Sequence, residues 1–294
     1  MNTWKQSAGR GLALAALAAV TTTTALAEPK IPDENRVNGF AIGCQAYTFN
    51  RFTAFEAIEK TAQAGGKVIE FFPGQKLSKD DPGLSVDHNS PKVDDVVAKL
   101  QAKLKQHGLV AVNYGVVGIP ADEAGARKVF EFAKKLGLRA VTTESTDAIN
   151  TIEKLVKEYD ICVGYHNHPG DMKNPDYKVW SPLYIAGLVE GRDHRIGSAA
   201  DVGHWVRSGV KPVEALKILK GRIISSHLKD LNEFGSREAH DVPYGQGKSG
   251  VKEVLDELKK QGFDGNISIE YEYNWDNSVP EVTQCIDFVK AYGK

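Results

Sequence analysis

The sequence predicts an α/β fold, a single-domain (β/α)8 TIM barrel, and two observations carry that expectation. Short β-like apolar runs alternate eight times with helix-period segments over one domain length, which favours a closed barrel over an open doubly wound sheet. Acidic and imidazole residues recur at the C-terminal ends of those runs, and on a barrel such positions converge on one face.

Taken in order, residues 1–27 precede the fold. Lys5 and Arg10 form a positive region, Gly11 to Val20 an apolar one, and Ala25-Leu26-Ala27 a small-x-small cleavage site. Together they read as a secretory signal peptide, cleaved after Ala27, which makes the protein secreted or periplasmic. No later stretch has the roughly 20 apolar residues of a membrane span, so no membrane partner is expected. The remainder, 28–294, suits one large barrel, with no Pro/Gly/Ser linker dividing two cores. Strands are expected at 40–46, 67–72, 109–115, 139–144, 161–168, 195–201, 222–228 and 266–272. Helical periodicity marks Ala54–Ala62, Val93–Leu104, Ala126–Leu136, Ile149–Val156 and Val251–Leu258, more faintly 184–189 and 213–219. A last helix is signalled by Ser278, Pro280 and Glu281, the form of a capping box. Residues 73–91 and 231–249 are long loops after strands, placed where loops shape a pocket.

Composition narrows the function classes. The net charge of −1 offers nothing to a phosphate backbone, so no nucleic-acid partner is expected. Cys44, Cys162 and Cys285 are few and odd in number, and read as buried apolar residues without a bridge. Nothing in the sequence assigns an oligomeric state.

Side chains alternate along a strand, so parity decides which polar groups enter the barrel. With Ile267 and Ile269 facing the helices, Glu270 and Glu272 point inward. The same test turns His166, His168 and Asp201 inward, puts Glu144 with Ala140 and Thr142, and puts His227 with Ser225 and Lys229. Carboxylates and imidazoles gathered in one pocket are costly unless paired or bound to a cation. One divalent metal ion resolves that cost; three carboxylates and one imidazole favour Mn²⁺, with Mg²⁺, Co²⁺ or Zn²⁺ as alternatives. The competing reading gives each acid an ordinary salt bridge, for which Lys229 and Arg195 are available.

The Asp201 strand end with His204 after it, the run His227-Leu228-Lys229-Asp230, the loop VPYGQGKSG and the run SIEYE resemble the xylose isomerase-like TIM-barrel superfamily. That superfamily holds sugar isomerases and epimerases, and also the metal-dependent endonuclease IV. The resemblance implies one metal held by Glu, Asp, His and Glu at the ends of the last four strands, and Asp201, His227 and Glu270 match the last three. Where the ketose epimerases carry their first Glu, on the fifth strand, this chain has YHNH, and Glu144 one strand earlier is the natural substitute. The chain also resembles a branch of exported members with this Glu-plus-HNH arrangement.

The expected function is a metal-dependent isomerase or epimerase acting on a keto sugar or sugar derivative. Glu144, Glu270, His166 and His168 are the candidates for moving the proton next to a metal-chelated carbonyl. Tyr47, Glu70, His204, Trp205 and Lys229 are the candidate contacts to a small carbohydrate. For Tyr47, Trp205 and Trp275 a packing role competes with a sugar platform, and for His204 a bond to Asp201 or Glu270 competes with a substrate contact. A 3-keto-glycoside lyase expelling the C1 substituent is the alternative activity. A nuclease or a non-catalytic sugar-binding barrel ranks below both.

Overall fold

A computed structural model of the protein describes Met1, residues 30–171 and residues 173–293. Apart from Met1, the expected signal segment lies outside the described residues. Eight parallel strands close into a barrel: β1 (Ala41–Gln45), β2 (Val68–Phe71), β3 (Val110–Tyr114), β4 (Ala140–Thr143), β5 (Cys162–His166), β6 (Ile196–Asp201), β7 (Ile223–Leu228) and, last in the chain, β10 (Asn266–Ile269). Pairing of β10 with both β7 and β1 completes the closure. Between β7 and β10 a two-stranded antiparallel ribbon, β8 (Asp230–Leu231) and β9 (Asp241–Val242), organises the second long loop. Among the described residues no helix is long and apolar enough to cross a membrane.

The outer layer comprises helices α1 (Ala54–Gln63), α2 (Val93–His107), α3 (Glu123–Leu136), α4 (Ile149–Tyr159), α5 (Pro182–Val189), α6 (Val202–Arg207), α7 (Pro212–Ile218), α8 (Val251–Lys260) and α9 (Val279–Ala291). The faint periodicities at 184–189 and 213–219 are α5 and α7, each opened by a proline in its first turn. The six-residue α6, which begins directly after β6, is too short to leave a periodic trace. The start of α9 differs from expectation. Ser278 has a helical backbone (φ −81°, ψ −8°) and its hydroxyl caps nothing, while Glu281 accepts from Asn274 Nδ2 at 2.7 Å. An N-cap needs an extended backbone to turn its oxygen back onto the first turn. The capping box in this chain is at α1, between Thr53 and Glu56.

Parity along the strands separates two cores. Ile42, Ile69, Val141, Tyr165, Ile196, Leu228, Ile267 and Ile269 pack outward against the helices. Inside, residues at or next to the starts of the strands fill the bottom of the barrel with small or apolar groups, among them Ala41, Val68, Ala140, Cys162 and Ile224. Above lies a polar layer, in which Asn113 Nδ2 donates to Thr142 Oγ1 at 2.9 Å and Ser268 Oγ donates to Glu70 Oε2 at 2.8 Å. The strand ends carry the charged residues above that layer. Cys44, Cys162 and Cys285 are all buried and none forms a disulfide.

The VPYGQGKSG loop closes around a single carboxylate. Asp230 accepts backbone N–H bonds from Gly245 (2.8 Å) and Gly247 (2.9 Å) at Oδ2 and from Ser249 (3.0 Å) at Oδ1. A Cβ on Gly247 would lie 2.3 Å from Asp230 Oδ1 and 2.5 Å from Leu231 O, so only glycine fits there. The glycine-rich stretch is therefore folded around its own anion rather than left to receive one. Asp230→Ala should destabilise the protein by about 1–3 kcal/mol through the unsatisfied amides, measured by urea unfolding. Amide exchange at Gly245, Gly247 and Ser249 should quicken ahead of the barrel strands.

Candidate active site

The charged layer sits at the C-terminal mouth of the barrel, beneath a cavity of about 270 Å³ lined by residues including Tyr47, Phe72, His166, His168, His204, Glu270 and Glu272. At its floor is Asp201, the last residue of β6, fully buried. Its Oδ1 accepts the His204 backbone N–H at 2.7 Å and so caps α6. Its Oδ2 faces Lys229 Nζ at 3.1 Å, His166 Nε2 at 3.5 Å, His204 Nε2 at 3.7 Å and His227 Nδ1 at 3.8 Å. Asn167 holds the Asp201 backbone on both sides, accepting from its N–H and donating to its C=O, each at 2.9 Å.

Glu270, just past β10, is the second floor carboxylate, with Oε2 at 2.7 Å from Lys229 Nζ and 3.2 Å from His227 Nδ1. Lys229 Nζ also reaches Glu272 Oε2 at 2.7 Å. The salt-bridge reading thus holds for Lys229, whereas Arg195 pairs with Asp160 and Asp193 away from the site. Burial opposes every charge here, yet the Lys229 ammonium and nearby imidazoles hold the Asp201 and Glu270 carboxyls well below the carboxylate range. The same acids hold Lys229 well above the usual lysine value.

The HNH segment supplies a second group. His166 is buried at the end of β5 and His168 is half-exposed. Both present Nδ1 to Glu144 Oε1, at 3.2 Å and 2.5 Å. Burial raises the Glu144 carboxyl, but the hydrogen bonds from His166 and His168 outweigh it and hold the group at about 2. Burial likewise opposes protonation of His166, and Asp201 and Glu144 overcome it, raising the imidazole. Tyr177, from the loop after β5, accepts the His168 backbone N–H at 2.8 Å and donates to Glu144 Oε1 at 3.3 Å.

Of the five expected substrate contacts, Tyr47 and His204 line the cavity, and Trp205, Glu70 and Lys229 do not. Trp205 is 1% exposed and packed in the outer core, because α6 turns residue 205 toward the barrel wall while residue 204 faces the cavity. Glu70 is buried below the cavity, bound by Ser268 and facing His227 Nε2 at 3.1 Å, so it supports an imidazole from beneath. Lys229 is likewise buried, under Asp201 and Glu270. Tyr47 does line the cavity, edge-on to Phe72 and Trp275.

Sequence reasoning turned Glu272 inward without giving it a role, and it missed Arg207 and Tyr177. Glu272 shares its parity with Glu270, which was the available signal. Arg207 lies one turn after His204 and binds Glu272 at 3.0 Å. Tyr177 sits in an irregular loop that carries no periodic signal.

The donor chemistry fits a divalent ion. Ligand atoms of His166, Asp201, His204 and Glu270 lie within 4.8 Å of one another, and Glu144, His166 and His168 form a second such group. Among the described residues, His166 Nε2 and Asp201 Oδ2 are buried with charged neighbours but no hydrogen bond of good geometry. The fixed cations that face Glu70, Glu144, Asp201, Glu270 and Glu272 among the described residues are Lys229 and Arg207. Further positive charge, from protonated imidazoles or a bound cation, would balance this excess.

A closed eight-stranded barrel with buried acids and imidazoles at its C-terminal mouth defines the class: a TIM barrel with a charged pocket on the face where such barrels carry their sites. Within that class, the chain belongs to the xylose isomerase-like TIM barrel family, whose model matches residues 58–292. An uncharacterized protein from Parabacteroides distasonis is similar in structure, with 33% identity, a TM-score of 0.68, and 86% of this chain and 98% of that one covered. A D-tagatose 3-epimerase-like protein shares the fold at 19% identity and TM-score 0.63, over 85% of this chain and 96% of its own. An uncharacterized protein of Methanocaldococcus jannaschii is 26% identical over 146 residues, 49% of this chain and 46% of that protein. The chain thus spans about half the length of that curated relative.

A carboxyl held below its ordinary value stabilises the fold above that value and loses its contribution as pH falls through the folded one. For Glu144 the window runs from 4.5 down to about 2. Glu144→Gln, compared with the parent protein by urea unfolding in chelator, should be less stable at pH 5.5, with the gap closing as pH falls toward 2.5. A gap constant with pH would separate Glu144 from the imidazoles.

Proposed function

We propose that the protein is a metal-dependent sugar isomerase or epimerase that moves a proton next to the carbonyl of a keto sugar or sugar derivative. The observation that carries the reading is the pairing of a carboxylate-backed imidazole, His166, with the buried carboxylates Asp201 and Glu270 beneath a sugar-sized cavity. A metal-binding histidine characteristically donates its other ring N–H to a carboxylate. Glu144 stands in that relation to His166, and Glu70 to His227.

Asp201 and Glu270, with imidazole nitrogens from His166 and His227, would hold the ion, and Glu144 would orient His166 rather than bind directly. Mn²⁺ is the ion we favour for this mixed carboxylate and imidazole set. When bound, such an ion polarises the carbonyl of a chelating sugar. His168 would carry the proton: it borders the cavity, and Glu144 fixes its Nδ1, turning Nε2 to the substrate. Tyr47, edge-on to Phe72 and Trp275, would border the sugar.

The reading places the protein outside the cytoplasm, on the strength of the N-terminal 1–27 segment. N-terminal sequencing of protein from its native cells should find a mature start at Glu28.

Metal analysis followed by incubation with free ketohexoses and with a 3-keto-glycoside in heavy water tests the activity. Deuterium at a carbon next to the carbonyl supports the proposal. Release of the C1 substituent from the glycoside transfers the site to the lyase alternative, and no exchange with either substrate refutes both. Asp201→Ala or His227→Ala should abolish metal retention with the fold intact. His168→Gln should keep the metal and lower turnover by roughly 10²–10⁴.

A further inference from the structure

Three imidazoles surround Asp201 Oδ2 at 3.5 to 3.8 Å, and they differ in what stands behind each ring. His166 is backed by Glu144 and His227 by Glu70, both proton acceptors. His204 is backed by a guanidinium: Arg207 Nη1 lies 3.0 Å from His204 Nδ1. Arginine has five N–H donors and no acceptor. The bond therefore exists only if His204 Nδ1 accepts, which leaves the proton of the neutral ring on Nε2.

We infer that Arg207 fixes His204 as the neutral Nε2–H tautomer, and so makes it a hydrogen-bond donor into the cavity instead of a metal ligand. Proximity alone would group His204 with His166, Asp201 and Glu270 as ligands. A nitrogen that carries a proton has no lone pair for an ion.

Arg207 is held firmly enough to impose this choice. Its Nε donates to Ala239 O at 3.1 Å, its Nη1 to Glu272 Oε2 at 3.0 Å, and its Nη2 lies 3.7 Å from Asp241 Oδ2. Ala239 lies just before β9 and Asp241 opens it, within the second long loop, and Glu272 follows β10. The second long loop thus acts on the site through Arg207. The His204 ring is placed independently, since its backbone N–H is capped by Asp201 Oδ1. Resting on the sugar reading above, the Nε2–H would bind a hydroxyl or carbonyl oxygen of the substrate, and Arg207 would be a positioning residue.

Long-range ¹H–¹⁵N correlation spectra of the full chain labelled at histidine nitrogens test this without a substrate, with His204→Gln assigning the signal. In the parent protein His204 should show a protonated Nε2 and an unprotonated Nδ1. Titration with Zn²⁺ should shift His166 and His227 and leave the His204 pattern in place. Arg207→Met should erase the single-tautomer pattern, and Arg207→Lys, which restores a donor, should recover it. A His204 found as Nδ1–H or doubly protonated in the parent protein overturns the inference, as does direct coordination of Zn²⁺ by His204 Nε2. If Arg207→Met fails to fold, the parent spectrum and the Zn²⁺ titration still decide. Absence of sugar turnover with the Nε2–H pattern intact would sink the proposed activity and leave this inference standing.

Discussion

Among the described residues, the mouth of the barrel concentrates more carboxylates than Lys229 and Arg207 neutralise, and the rest of the site is arranged around that imbalance. Burying a carboxylate is costly unless it is paired and hydrogen-bonded. Asp201 and Glu270 meet that condition by sharing Lys229, whose ammonium lies within 3.1 Å of both. The imidazoles of His166 and His227 meet it again, each between a floor carboxylate and a second one, Glu144 beside His166 and Glu70 beneath His227. Removing one member leaves its partners buried and unpaired, and strand ends, paired to neighbours on both sides, carry most of the members.

The fold was legible because barrel periodicity is a long-range repeat of a simple signal. Outward isoleucines on β10 and small inward residues on β6 were enough to orient Glu270 and Asp201. Short elements were harder to see. The six residues of α6 span fewer than two turns, and with the helix unseen nothing distinguished Trp205, turned into the core, from His204, turned to the cavity. Glu70 illustrates a different limit. Alternation with the outward Ile69 turns it inward, but alternation does not say at what depth, and the stagger of a barrel places a β2 residue below the mouth, under His227. The start of α9 was misread because a Ser-Pro-Glu pattern specifies a capping box only if the serine backbone is extended.

Loops contribute what the strands do not. The segment after β5 brings Tyr177 to Glu144, and the segment after β7 brings Ala239 and Asp241 to Arg207. Neither contact leaves a pattern in the sequence, since an irregular loop has no period. The glycine-rich stretch that carries much of the family resemblance has a structural task instead, closing on Asp230. A motif shared across a family need not touch the chemistry it accompanies.

Two hydrogen-bonded systems meet at Asp201. One runs from Tyr177 through Glu144 to His166 and His168; the other links Lys229, Glu272, Arg207 and His204. Because His166 and His204 both approach the same Asp201 oxygen, the proton on one ring affects the energy of the proton on the other. Residues coupled through a shared buried group act non-additively. The identity of the group behind each ring, glutamate or arginine, is then what distinguishes otherwise similar histidines. A carboxylate frees the far nitrogen to ligate, and a guanidinium compels it to donate. On the proposed function, the groups behind the rings would divide metal binding from substrate binding among these imidazoles without moving a strand.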